Sequence, residues 1–332
     1  MKFYTIFFAF LTICQLSCQH SNSKIDVEPI EFVPYPVVSN VKNEAKVDYK
    51  HFTISYNTKH QNPNWVLYRL TRSNLLNRKA KRKNKFFTDP VLSSLGVESP
   101  APYAFRGSDY DRGHMAPSAD FLRDQDLNDL TFTMANISPQ TSILNRGRWK
   151  KLEQRVREWT VIEEELIVIT GPVLKRNLDK IPHTRISVPN CFYKILLSYK
   201  SNPKAIGFVL CQNDKKSNYI DFRVTNVDTI EKLTKVNFFS GMTGEAEIEK
   251  KSDPSLWRGA RRAKKLYSEK TYNSYKGKIG MCFGHFQGCC SGHGGIYKEN
   301  DIKMCSIVAP YSVICNDGTT SRGCEGSLYK NQ

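Results

Sequence analysis

Apolar and polar positions lay out most of a domain before any chemistry is considered. His51 to Tyr56 alternates enough for a first strand, and Trp65 to Thr71 for a second. Trp149, Leu152, Val156 and Trp159 recur at three- and four-residue spacing, which predicts an amphipathic helix over roughly 148–160. Glu165 to Thr170 is a short apolar strand closed by a Gly-Pro turn. Cys191 to Tyr199 and Ala205 to Cys211 read as a hairpin about Ser201-Asn202-Pro203. A turn centred there sets Cys191 opposite Cys211, either as a cross-strand disulfide in an oxidising compartment or as two free buried cysteines.

The ends of the chain have a different texture. Met1 to Cys18 carries one lysine and a mostly apolar core from Phe3 to Ile13, too short to span a membrane comfortably and read as a secretion signal. Gln15-Leu16-Ser17-Cys18 resembles a bacterial lipoprotein cleavage site, so a lipid anchor at Cys18 or simple cleavage nearby is favoured over an uncleaved anchor. Both predict export, to a secreted, periplasmic or envelope-anchored location. Residues 19–47 combine Ser-Asn-Ser, several prolines and few apolar runs, the composition of a tether. Residues 241–279 are a basic connector, with Arg258, Arg261, Arg262, Lys264 and Lys265 around Trp257. Residues 280–332 form a cysteine-rich module holding Cys282, Cys289, Cys290, Cys305, Cys315 and Cys324. Cys282, His285, Cys289 and His293 would also suit zinc, but export and the even count of six favour disulfides.

Charge narrows the choice of partner. The 332 residues, 40% hydrophobic, can bury one main core with appendages. Lysine and arginine number 49 against 32 acidic residues, a net charge of +17, or +16 once Lys2 leaves with the leader. Such an excess favours polyanions, nucleic acid first and anionic membrane surfaces second.

Candidate chemistry sits in two stretches. Asp111-Arg112-Gly113-His114 is followed at once by Met115-Ala116-Pro117. A histidine there can accept a proton near neutral pH, and Arg112 offers a permanently charged fork suited to phosphate. Alone, the run is equally a turn. Downstream stand Asn136-Ile137-Ser138-Pro139-Gln140 and Asn145-Arg146-Gly147-Arg148-Trp149, then Glu153 and Arg157. Singly, Asn145 is an ordinary cap residue, and Glu153 with Arg157 an ordinary helix-surface ion pair. As a set, they are what hydrolysis of a phosphodiester needs. Magnesium takes few protein ligands, so one Asn145 oxygen can hold it while the substrate phosphate supplies another. Glu153 lies about 12 Å further along a continuous helix, a distance that favours contact with the ion's hydration water over direct ligation.

Together these segments resemble the DNA/RNA non-specific endonucleases of the ββα-metal (His-Me finger) group, over residues 48–240. Trp65 to Thr71, Phe86 to Pro90, Thr170-Gly171-Pro172, Val188-Pro189 and Ile230 to Phe239 also fit. The resemblance implies an α+β fold: a twisted antiparallel sheet flanked by helices and carrying the ββα-metal motif, beside the small disulfide-rich module. It implies cleavage of DNA and RNA with magnesium, or manganese in its place. His114 would be the base and Asn145 the metal ligand, with Arg112, Glu153, Arg157 and Asn136 completing the catalytic set. Within the basic run 78–85, Arg82 would contact phosphate, as would Arg146 and Arg148. The competing reading is a non-catalytic nucleic-acid binder on the same fold, which would have no need of His114, Asn145 and Glu153 together.

Overall fold

The computed structural model describes residues 34–39, 41–199, 203–214, 224–253 and 257, and short strands between 279 and 328. In chain order, β1 (Val37–Val38), β2 (Glu44–Asp48), β3 (Phe52–Asn57) and β4 (Asn62–Thr71) lead into the short helices α1 (Arg72–Leu76) and α2 (Pro90–Ser94). Then come β5 (Tyr110–His114), α3 (Gln125–Leu130), β6 (Ile137–Thr141) and the long α4 (Lys150–Glu163). β7 (Glu165–Pro172), β8 (Cys191–Ser198), β9 (Lys204–Cys211) and β10 (Val224–Thr225) follow, and α5 (Val227–Thr234), β11 (Val236–Asn237) and α6 (Glu245–Lys250) close the unit.

Seven strands pair antiparallel in the order β10-β9-β8-β7-β4-β3-β2. Both faces of this sheet are covered, which is why its central strands read as unbroken apolar runs. Side chains alternate across a strand. Leu166 and Val168 therefore join Leu152, Val156 and Trp159 of α4 in one core. Their neighbours Ile167 and Ile169 join Val227 and Ile230 of α5 in the other. The α+β class and the antiparallel sheet with flanking helices are as expected.

The expected hairpin forms with Cys191 directly opposite Cys211, and the two are joined as a disulfide. Gly171-Pro172 is no turn: both residues still pair with β8, and the chain leaves the sheet after them. The stretch expected as a tether is already sheet from Val37, because Ala45 and Val47 alternate with charged neighbours and bury on the edge strand β2. The expected connector likewise begins inside the core. Ile248 of α6 packs beneath α5, and Trp257 seats on Trp159.

β5 and β6 form a separate two-stranded pair, with Asp111 opposite Gln140 and His114 opposite Ile137, and α4 follows them. Two strands then a helix is the order of the ββα motif. In the tail, β12 (Ile279–Phe283), β13 (Lys298–Glu299), β14 (Ile302–Ser306), β15 (Ser312–Ile314), β16 (Thr320–Glu325) and β17 (Ser327–Leu328) pair only among themselves. The pairing of the tail cysteines, the leader with Cys18, and Arg258 to Lys265 lie outside the described residues.

Candidate active site

Alternation along β5 places Arg112 and His114 on one side and Gly113 on the other. Gly113 is required there: an added Cβ would lie 2.3 Å from Oε1 of the buried Gln140 side chain. His114 is clamped between aromatic rings, with centroids 5.4 Å from Phe86 and 4.9 Å from Phe132. Burial, with the charge of Arg82 second, pushes its pKa down to about 3, against a backbone hydrogen bond at Arg112 that acts the other way. The ring is therefore neutral, and its buried Nε2 has no hydrogen-bond partner.

His114 lines a cleft of about 520 Å³ together with Arg82, Arg112, Asn145, Arg146, Glu153 and Arg157. Asn145 stands on a π-helical turn, Leu144–Trp149, broken by non-helical dihedrals at Gly147. Such turns recur at functional sites. Its Nδ2 donates to Asp111 Oδ2 at 2.9 Å, and Arg146 grips the same carboxylate through Nε at 2.8 Å and Nη2 at 2.6 Å. Burial raises the Asp111 carboxyl, but the Arg146 and Asn145 hydrogen bonds outweigh it and hold the group below the usual carboxylate range. With its nitrogen committed to an anion, Asn145 has its oxygen left for a ligand.

The floor of the cleft is charged and closely packed. Burial pushes Glu153 up, against the pull of Lys194 and Arg157, and pushes Lys194 down. Lys194 is fully buried, with Nζ donating to Thr170 Oγ1 at 2.6 Å and lying 4.9 Å over the Trp149 ring. Arg157 is no surface partner of Glu153. It is buried and donates to Asp120 Oδ1 at 2.9 Å, while Tyr68 donates to the other oxygen at 2.8 Å. At the rim, exposed Arg82 is steadied by Ser118 Oγ at 2.9 Å and Asn84 Oδ1 at 2.6 Å.

The profile of the DNA/RNA non-specific endonuclease family matches residues 34–245. The chain belongs to that family. It is thus an endonuclease, a hydrolase of nucleic acid by family. It is 31% identical over 216 residues to a nuclease of Serratia marcescens, covering 62% of this chain and 79% of that one. A nuclease of Nostoc sp. is 34% identical over 216 residues, 61% of this chain and 76% of the relative. A mitochondrial nuclease of Saccharomyces cerevisiae is 32% identical over 253 residues, covering 65% and 73%. Among solved structures, a chain of the EndoG/EndoGI complex superposes with a TM-score of 0.53 at 25% identity, covering 58% of this chain and 85% of that one.

Within this endonuclease, eight of the nine residues singled out from sequence stand at the cleft or hold its walls. Seven of them line it. Asn136 does not: fully buried, it brackets Ala116 by accepting from its N–H at 2.8 Å and donating to its carbonyl at 2.9 Å, with a further bond to Thr131 O at 2.8 Å. It fixes the loop that leaves His114. Arg148 is the correction. The π-helical turn sends it inward, where it is buried against the carbonyls of Cys211 at 3.2 Å and Asp214 at 3.1 Å, with the Asp214 carboxylate at 3.4 Å. A side chain enclosed this way cannot reach substrate. Asp111, Lys150, Lys194 and Asp120 went unassigned. Asp111 opens the Asp-Arg-Gly-His run, and Lys194 is a lone lysine inside the apolar strand Phe192 to Leu197.

Proposed function

We propose that the endonuclease cleaves phosphodiester bonds of both DNA and RNA with magnesium as its ion. The observation that carries this reading is the unpartnered Nε2 of a neutral, buried His114 at a cleft whose other polar residues are four arginines, Lys150 and the oxygen-bearing Asp111, Asn145 and Glu153. The donor set fits a hard divalent cation: a neutral amide oxygen on Asn145 and the Glu153 carboxylate, with no sulfur and no second imidazole among the described residues lining the cleft. Asn145 would hold the ion directly and Glu153 through water. When bound, the ion supplies Lewis-acid stabilisation of charge on the phosphate and the departing oxygen.

His114 accepts a proton at Nε2 from the attacking water, a role worth roughly 10²- to 10⁴-fold in rate. Arg112 and Arg82, with Arg157 in the cleft wall where Asp120 holds it, would offset charge on the phosphoryl oxygens. Asp111 orients Asn145 and Arg146, and Asn136 keeps the His114 loop in place. The net charge of +17 brings polyanionic substrate to the cleft. The leader directs export, with Cys18 as an anchor point when lipidated. Incubation of the mature chain with plasmid DNA and with RNA tests the reading. Both should be cut with magnesium or manganese and spared with chelator, and His114→Ala should bind them without cutting. Binding without any cleavage under all conditions would return the chain to a non-catalytic role.

A further inference from the structure

A second pocket of about 280 Å³ opens beside the catalytic cleft and shares Asp111 and Arg112 with it. Resting on the nuclease reading, we propose that this pocket receives a nucleotide adjoining the scissile phosphate, with its base stacked on Tyr103 and its backbone phosphate on Arg106.

Tyr103 is 68% exposed, more than any other large hydrophobic side chain among the described residues. It is nevertheless held. Its 3₁₀ turn, Pro102–Phe105, is entered through a proline and anchored by Phe105, which buries in a core with Met134 and Ile137. Arg112 Nη1 donates to the Pro102 carbonyl at 3.4 Å, tying that turn to the strand that carries His114. An aromatic ring kept in solvent by a braced turn is a stacking platform already in position, with little conformational entropy left to lose on binding.

The charges beside it are available. Arg106 is exposed and has no ion pair or hydrogen bond from its side chain among the described residues. Arg112 is also exposed and lies with its guanidinium 4.3 Å over the Phe86 ring, between the two pockets. Asp111, the one carboxylate among the described residues of the lining, is already committed to Asn145 and Arg146. It has little capacity left to read a base edge. A stacked ring and two arginines bind any base, because every base has a π face. Tolerance of sequence follows from the lining itself.

The test uses the full chain and an oligonucleotide with one cleavable linkage, scanned with an abasic nucleotide. Tyr103→Ala should raise KM roughly 10-fold with kcat within about twofold, the size expected for one lost base-aromatic stack. Tyr103→Phe should behave as wild type. An abasic nucleotide at one position next to the cut should cost the wild type the same factor and cost Tyr103→Ala nothing further. Bis(p-nitrophenyl) phosphate, which has no base, should be cut equally by both proteins. Anisotropy of the labelled oligonucleotide in chelator gives the same comparison without catalysis. If the wild type binds but never cuts, the nuclease reading falls while this arm still decides the subsite. Unchanged KM and binding in Tyr103→Ala, or an equal abasic penalty in both proteins, would overturn the proposal.

Discussion

The amide nitrogen of Asn145 donates to Asp111 Oδ2 at 2.9 Å, so a residue of the catalytic strand sets which way the Asn145 amide points. Without that acceptor the amide can turn over and present nitrogen to a cation. Asp111→Ala should therefore raise the magnesium concentration needed for half-maximal cleavage by roughly 10- to 100-fold, the range for loss of a partner that orients a metal ligand. Cleavage titrations and calorimetric binding of manganese measure it. A normal metal requirement in the variant would mean that the ion is held elsewhere.

His114 should stay neutral far below the usual histidine range. Its folded pKa of about 3 lies under the unfolded value near 6.5. The sign follows: the fold prefers the neutral ring, so this contribution is whole above about pH 6.5 and is lost as pH falls toward 3. In the metal-free chain, the ring resonances of His114 should not titrate between pH 7 and 5. His114→Gln should lose less stability than wild type between pH 6.5 and 4 in urea melts. A titration midpoint near 6.5 would contradict the burial that underlies this prediction.

Arg146 and Arg148 differ by two positions yet should fail differently. Arg146→Ala should reduce the slope of log affinity against log salt by about one unit, as for one lost phosphate contact. Arg148→Ala should leave that slope unchanged and lower the melting temperature instead, because it strips a buried cation from the Cys211–Asp214 turn. If Arg148→Ala alters the slope, the inward placement of its side chain is wrong.

These two arginines mark where sequence reasoning stops. The Asp-Arg-Gly-His run and the helix beyond it were legible because chemistry and period coincide there. The opposition of Cys191 and Cys211 was legible because a hairpin's register follows from its turn, whereas the bond between them was one of two outcomes that register allows. Which arginine of Asn-Arg-Gly-Arg faces the cleft depends on a π-helical turn and a break at Gly147, and no apolar period encodes either. The seven-stranded sheet was harder still, since strands buried on both faces lose their alternation. β2 escaped notice for another reason: only Ala45 and Val47 mark its inner face, and its charges read as a tether. Asp120 and Lys194 reach the floor of the site from distant segments, through tertiary packing alone.

Packing of the catalytic unit continues beyond the family match, as far as Trp257 among the described residues. The match ends at residue 245, and a chain cut there would lose Ile248 and Trp257. Trp257 is 3% exposed, meets the Trp159 ring edge-on at 5.5 Å, and accepts a 2.7 Å hydrogen bond from Trp159 Nε1 through its carbonyl. Trp159 is on α4, the helix that supplies Glu153 and Arg157 to the cleft, so the tryptophan braces the far end of a catalytic element. Truncating a buried tryptophan to alanine costs about 3–5 kcal/mol. At about 2–4 °C per kcal/mol for a unit of this size, Trp257→Ala in the full chain should lower the melting temperature by about 6–20 °C. At low temperature, where α4 remains docked, magnesium-dependent cleavage should persist. A chain ending near 260 should keep both stability and cleavage, whereas one ending at 245 should melt early even with the Cys191–Cys211 bond intact. Equal melting temperatures for the two truncations would show that Trp257 contributes nothing and that the unit ends where the family match does.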